Sequence, residues 1–195
     1  LLMTISCPIY LGMAAAAGPL IETLFGAKWA PMAPLVAILA LAMPFMPLQV
    51  MFAPVNNALG RPGLTARIAL VGAILMPCAF LVGIRFGTTG LALAWLTAFP
   101  VFTVITARIA GAPMGLRLGE IAGAASLPIL LSAAMAGVVV LVDWMLPLLP
   151  PVAHLGILVA TGGAAYAGML LTVARPLLKE IVALVVRKEA PARVA

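Results

Sequence analysis

Charge is what this sequence has least of. Eleven Lys and Arg and five Asp and Glu make up 8% of its 195 residues, where an ordinary soluble domain carries roughly 25% charged residues. So few ionisable side chains do not cover the surface of a soluble fold of this length. The remainder is 65% hydrophobic, with a mean hydropathy of +1.26, and a membrane protein is expected. Cysteine is equally scarce: Cys7 and Cys78 stand far apart in apolar surroundings, without a C-x-x-C spacing. That gives no support to thiol metal or disulfide chemistry and leaves both as small hydrophobes. The single histidine, His154, has no second His or Cys beside it and flanks a proline-rich loop with Asp143, so no metal centre is expected. There is no G-x-S-x-G, no H-E-x-x-H and no Gly-rich phosphate loop, so neither an enzyme nor a cofactor is expected. No Met stands at position 1, and no basic segment precedes the apolar start LLMTISCPIYLGM. That start does not read as a signal peptide, and the chain is expected to begin inside a longer protein.

What is present is a series of long apolar runs. About 20 mainly apolar residues cross roughly 30 Å of hydrocarbon as a helix, and six stretches qualify: 2–24, 34–56, 67–84, 90–107, 121–142 and 153–174. The expected fold is all-α, a polytopic bundle over residues 1–174 followed by a basic segment at 175–195. The third and fourth stretches are short, which a thin local bilayer or snorkelling arginines would accommodate. Six crossings put both ends of the bundle on one side. That side holds Arg61, Arg67, Arg108, Arg117, Arg175, Lys179, Arg187, Lys188 and Arg193, and the other holds Lys28 and Arg85. The positive-inside rule makes the arginine-rich side, and with it the C-terminus, cytoplasmic. Beyond Ala174, Leu177, Leu178, Ile181, Leu184 and Val185 recur at helical spacing opposite Lys179, Glu180, Arg187 and Lys188, which reads either as a short helix lying on an anionic membrane face or as a frayed tail with no specific role.

Helix breakers concentrate in the second stretch. Pro44, Pro47 and Pro54 each remove a backbone donor, at a cost of roughly 3 kcal/mol in an ordinary helix interior. A straight rod is not expected, and the carbonyls so freed need other partners in hydrocarbon. The bend reads either as a packing kink or as the lining of a transport pathway. At the end of the stretch, NNALGRPG places Asn56 and Asn57 beside Gly60. Two readings stand: a helix terminus closed by a left-handed glycine, or a pair of amides facing a cavity, able to bind a hydroxyl-rich substrate or a paired lobe. Glu22 and Arg85 lie near the outer boundary, where snorkelling avoids the insertion cost of a central charge. Glu22 reads as a solvated helix end paired with Lys28 or as a proton or cation site, and Arg85 as a boundary charge or a phosphate contact.

From Pro19 to about Thr106 the chain resembles a known family. The residues that carry the resemblance are Leu24, Phe25, Gly26 and Trp29 after one stretch, Asn57, Ala58, Leu59, Gly60 and Arg61 after the next, and Gly87 and Gly90 before a third. Their order and spacing resemble the C-terminal half of the polysaccharide-biosynthesis export proteins, flippases of the multidrug, oligosaccharidyl-lipid and polysaccharide exporter superfamily. The resemblance implies one lobe, plus two extra helices, of a two-lobed fourteen-helix transporter. It would move lipid-linked oligosaccharide or polysaccharide precursors (lipopolysaccharide or exopolysaccharide) across the bacterial inner membrane by alternating access. The implied partners are membrane lipids, a lipid-linked sugar and an N-terminal lobe of the same protein, with no nucleic acid among them. No cation lies deep in these stretches to hold a diphosphate, so such groups would have to come from the other lobe. Two competing expectations are a drug or metabolite exporter of the same superfamily and a non-transporting subunit or scaffold of a polysaccharide-synthesis complex.

Overall fold

A computed structural model describes residues 2–111, 115, 117–146 and 149–173; the amphipathic segment expected at 175–195 lies outside them. Among the described residues there are helices and no strands: α1 (Leu2–Ala15), α2 (Ala17–Phe25), α3 (Ala33–Ala42), α4 (Met46–Ala58), α5 (Pro62–Gly83), α6 (Gly87–Gly111), α7 (Leu118–Met145) and α8 (Pro151–Val173). Short 3-10 turns, Ala27–Met32, Met43–Phe45 and Ile84–Phe86, join α2 to α3, α3 to α4 and α5 to α6. Four helical runs are long and apolar enough to cross a membrane, and a fifth if the bent pair α1–α2 is taken as one.

The first apolar stretch is not one straight helix. α1 and α2 meet at an angle of 80°, and the cause is Pro19. Its ring clashes with the carbonyl four residues back, that of Ala15, so α1 cannot run on past that residue. Ala16 leaves helical geometry at φ −102° and ψ 20°, and Pro19 then sits in the first turn of α2, where its missing donor costs nothing.

The longest run, Pro62–Gly111, spans 50 residues and is folded back on itself. Gly87, at φ 71°, takes a left-handed conformation that a side chain would resist. From there α5 and α6 run antiparallel, with Gly83 against Gly90, Phe80 stacked on Trp95 at 5.6 Å and Gly72 under Phe102. A Cβ on Gly83 would stand 2.6 Å from the carbonyl oxygen of Gly90, so the legs touch backbone to backbone, the close approach that small residues permit. With 22 and 25 residues, each leg is about 33 to 38 Å long at 1.5 Å per residue. Neither is the short helix that hydropathy suggested, because Pro62 and Gly87 open them earlier than the apolar residues begin.

Side by side the helices follow the order α5, α6, α3 with α4, α1, α7, α8. Gly12 of α1 and Ala16 just after it meet Met135 and Val139 of α7 in parallel, whereas Leu131 and Val139 of α7 meet Leu170 and Gly162 of α8 antiparallel. Pro8 of α1 deprives the Thr4 carbonyl of its helical donor, and the Tyr166 hydroxyl on α8 donates to that carbonyl at 2.7 Å instead. The interior is built from small residues (Ala16, Ala42, Ala98, Ala107 and Ala110), while Leu70, Ile74, Leu81, Leu130 and Val159 face outward. Large apolar side chains exposed on this scale are what a bilayer covers and water does not.

Candidate functional site

The site is built around the interrupted second stretch. In an unbroken α-helix Pro44 and Pro47 would leave the carbonyls of Ala40 and Met43 without donors. The 3-10 turn removes that cost: the Met43 amide donates to Ala40 O and the Met46 amide to Met43 O, each bond closing one residue earlier than in an α-helix. Pro44 is buried at the turn, Pro47 is half-buried on the first turn of α4, and Pro54 faces outward. The expected departure from a straight rod is therefore present, and Pro44 and Pro47 locate it; Pro54 stays inside α4.

Pro47, Leu48 and Met51 of α4 line a cavity of about 450 Å³, closed by Leu2 and Met3 of α1 and by Glu120, Ile121, Ala124 and Ala125 of α7. Glu120 is its one charged lining residue. Its carboxylate accepts the Arg117 amide at 3.1 Å while the Glu120 amide donates to Arg117 O at 3.0 Å, a reciprocal cap that fixes the start of α7.

On its other face α4 meets α6 through polar groups. Gln49 Nε2 donates to Thr106 Oγ1 on α6 at 3.1 Å, while within α4 Asn56 Nδ2 donates to the Phe52 carbonyl at 2.8 Å. The remaining amide oxygens, Gln49 Oε1 and Asn56 Oδ1, are buried without a donor. An unmet acceptor in a low-dielectric seam costs on the order of 1–3 kcal/mol, so this seam is the least satisfied polar contact between α4 and its neighbours. The sequence reading missed Gln49. Its spacing of seven from Asn56, with Phe52 between them, places all three on one helix face, and that was the available signal.

NNALGRPG resolves into a helix terminus. The Arg61 amide donates to Asn56 O at 2.9 Å and the Gly60 amide to Asn57 O at 3.0 Å, with Gly60 at φ 69°, the paired bonds of a Schellman ending. Asn57 is exposed and accepts the Thr65 hydroxyl at 2.9 Å, tying α4 to α5. Asn56 is fully buried, one turn beyond Phe52, which packs with Ile68 of α5 and Ala107 and Ala110 of α6. The two neighbouring amides thus do different work: Asn57 closes a turn and Asn56 faces the protein interior.

The boundary charges divide. Arg85 is exposed on the turn between α5 and α6. Glu22 makes no ion pair with Lys28 among the described residues. It instead lines a cavity of about 400 Å³ with Gly18, Pro19, Asp143 and His154, the last two 2.8 Å apart. Glu22 and Arg85 therefore lie at the end of the bundle opposite Asn56.

Compared with protein-family models, with curated proteins and with solved structures, the chain finds no match in any of the three.

Proposed function

We infer that the chain is the C-terminal part of a membrane transporter that carries lipid-linked oligosaccharide or polysaccharide precursors across the bacterial inner membrane by alternating access. The observation that supports a transport role is the second stretch itself. A proline-stabilised break, a cavity beside it and two buried amide oxygens without donors all fall on one short helix. Irregular backbone at membrane depth is tolerated where it lines a cavity or can move, and an unsatisfied seam is a weak one. α4 would therefore pivot about Met43–Phe45 as the bundle rocks, exchanging the Gln49–Thr106 contact for hydrogen bonds to a hydroxylated substrate or to a facing lobe. The substrate class rests on the residue resemblance described above.

Six crossings, with the bent pair α1–α2 counted as one and the folded-back run Pro62–Gly111 as two, would fit this reading. Adjacent helices pack parallel or antiparallel as alternation requires, and Arg61, Arg67, Arg108 and Arg117 gather at the end away from Lys28 and Arg85, so the bends between α4 and α5 and between α6 and α7 would be cytoplasmic.

Replacing Pro44 and Pro47 together with alanine returns two backbone donors and permits an unbroken α-helix. In the complete protein the double variant should insert normally and lose export of surface polysaccharide severalfold. Undiminished export would remove the break from the mechanism and favour a non-transporting scaffold.

A further inference from the structure

The 80° bend at Ala16 turns α2 across the end of the bundle instead of along it. Ala17 and Ile21, one turn apart, are buried at 4% and 5% exposure, holding α2 against α3 and α8. The same helical stripe continues to Leu24 and Phe25, which are 64% and 61% exposed, and Trp29, 50% exposed, packs its ring against Phe25 at 6.4 Å. A stripe that is core at one end and bare at the other has run past the edge of the protein. Its bare end continues into outward-facing Met32 and Leu39 and stands at the same end of the bundle as exposed Phe86 and Trp144. Lys28, which lies between Phe25 and Trp29 in the sequence, is exposed.

We propose that α2 and the turn Ala27–Met32 form an in-plane membrane anchor, with Leu24, Phe25 and Trp29 set among the upper acyl chains and the Lys28 ammonium at the phosphates. Three observations favour lipid as the occupant. The stripe is continuous with the lipid-facing surface of α3. Tryptophan beside a cation is the side-chain pair that the membrane–water boundary selects. A helix at right angles to a span lies in the plane of that boundary, where an amphipathic helix buries its apolar face. The anchor would fix the depth of the bundle and hold Glu22, on the flank of α2 next to the stripe, over the cavity that Asp143 and His154 line. The proposal needs only that the bundle is in a bilayer, whatever it transports.

The test is depth-resolved quenching of tryptophan emission in the full chain reconstituted into phosphatidylcholine vesicles. Combining W95F and W144F leaves Trp29 as the one tryptophan of three. Lipid brominated near the carbonyl end of its acyl chains should quench it roughly twofold or more beyond lipid brominated near the terminal methyls, because an interfacial helix sits about 5–10 Å into the headgroup boundary. In the chain with its other tryptophans intact, W29F should remove part of the shallow-quenched emission, a check that does not depend on the double variant folding. Quenching by aqueous iodide with none by brominated lipid, shielding from both, or stronger quenching by the deep bromines would each overturn the anchor. These outcomes point respectively to water, a covering protein segment, or a continued span.

Discussion

Tyr166 and Pro8 stand 158 positions apart in the chain and form one device. Pro8 frees the Thr4 carbonyl inside an apolar bundle, and the Tyr166 hydroxyl supplies the missing donor. Side-chain hydrogen bonds between membrane helices are worth about 1 kcal/mol, so Tyr166→Phe should destabilise the bundle by roughly that amount in thermal or denaturant unfolding in micelles. The same substitution made together with Pro8→Ala should cost much less, since alanine returns the helical donor and leaves the phenol nothing to satisfy. Equal costs in the two backgrounds would separate the tyrosine from the proline. Gly60 makes a second residue-level case: at φ 69°, Gly60→Ala should cost about 1 kcal/mol in the same assay. Gly63→Ala, in open space inside α5, should be neutral or stabilising.

At the scale of elements, the hairpin of α5 and α6 depends on two glycines that let backbones touch. Gly90→Leu places a side chain against the Gly83 carbonyl and Phe86 and should part the legs, at a cost of about 1–3 kcal/mol, as overpacking with backbone displacement typically brings. Loss of the Phe80–Trp95 stack, followed through Trp95 emission, checks it. Much of this level was legible beforehand. Turn residues between apolar runs located the bends after α2, α4 and α5, Pro44 and Pro47 of the second stretch located its break, and Gly60 announced its terminus. Other features were hidden for identifiable reasons. Hydropathy alone merged α1 with α2, because every residue around Ala16 is apolar and the decisive clash comes from Pro19, three positions later. It also started α5 and α6 too late, since helices open at capping and proline signals that carry no hydropathy. The partners of Gln49 and Tyr166 lie on helices brought together by packing, and no periodicity within one segment reveals a contact across 57 or 162 positions.

Across the whole molecule the helices alternate: α1, α5 and α7 run one way, and α3 with α4, α6 and α8 the other, with the arginine-bearing bends at one end. The Schellman turn at Gly60, the Glu120 cap of α7 and the cavity beside Pro47 share one end of the bundle, which on the proposed topology would be cytoplasmic. Glu22, Arg85 and the Asp143–His154 pair lie toward the other end with the exposed rings of Phe25, Trp29, Phe86 and Trp144, which on that topology would be the outer one. The transport reading needs this sidedness, because a cavity that opens alternately must have an inner and an outer mouth.

Sidedness is measured most directly by thiol labelling of intact cells with a membrane-impermeant reagent, in a chain whose Cys7 and Cys78 have been replaced by alanine. Cysteines introduced as Gly63→Cys and Gly119→Cys, both in open space, should stay unlabelled until the cells are broken, while Phe86→Cys and Trp144→Cys should react at once. Labelling of Gly63→Cys in unbroken cells would contradict the account.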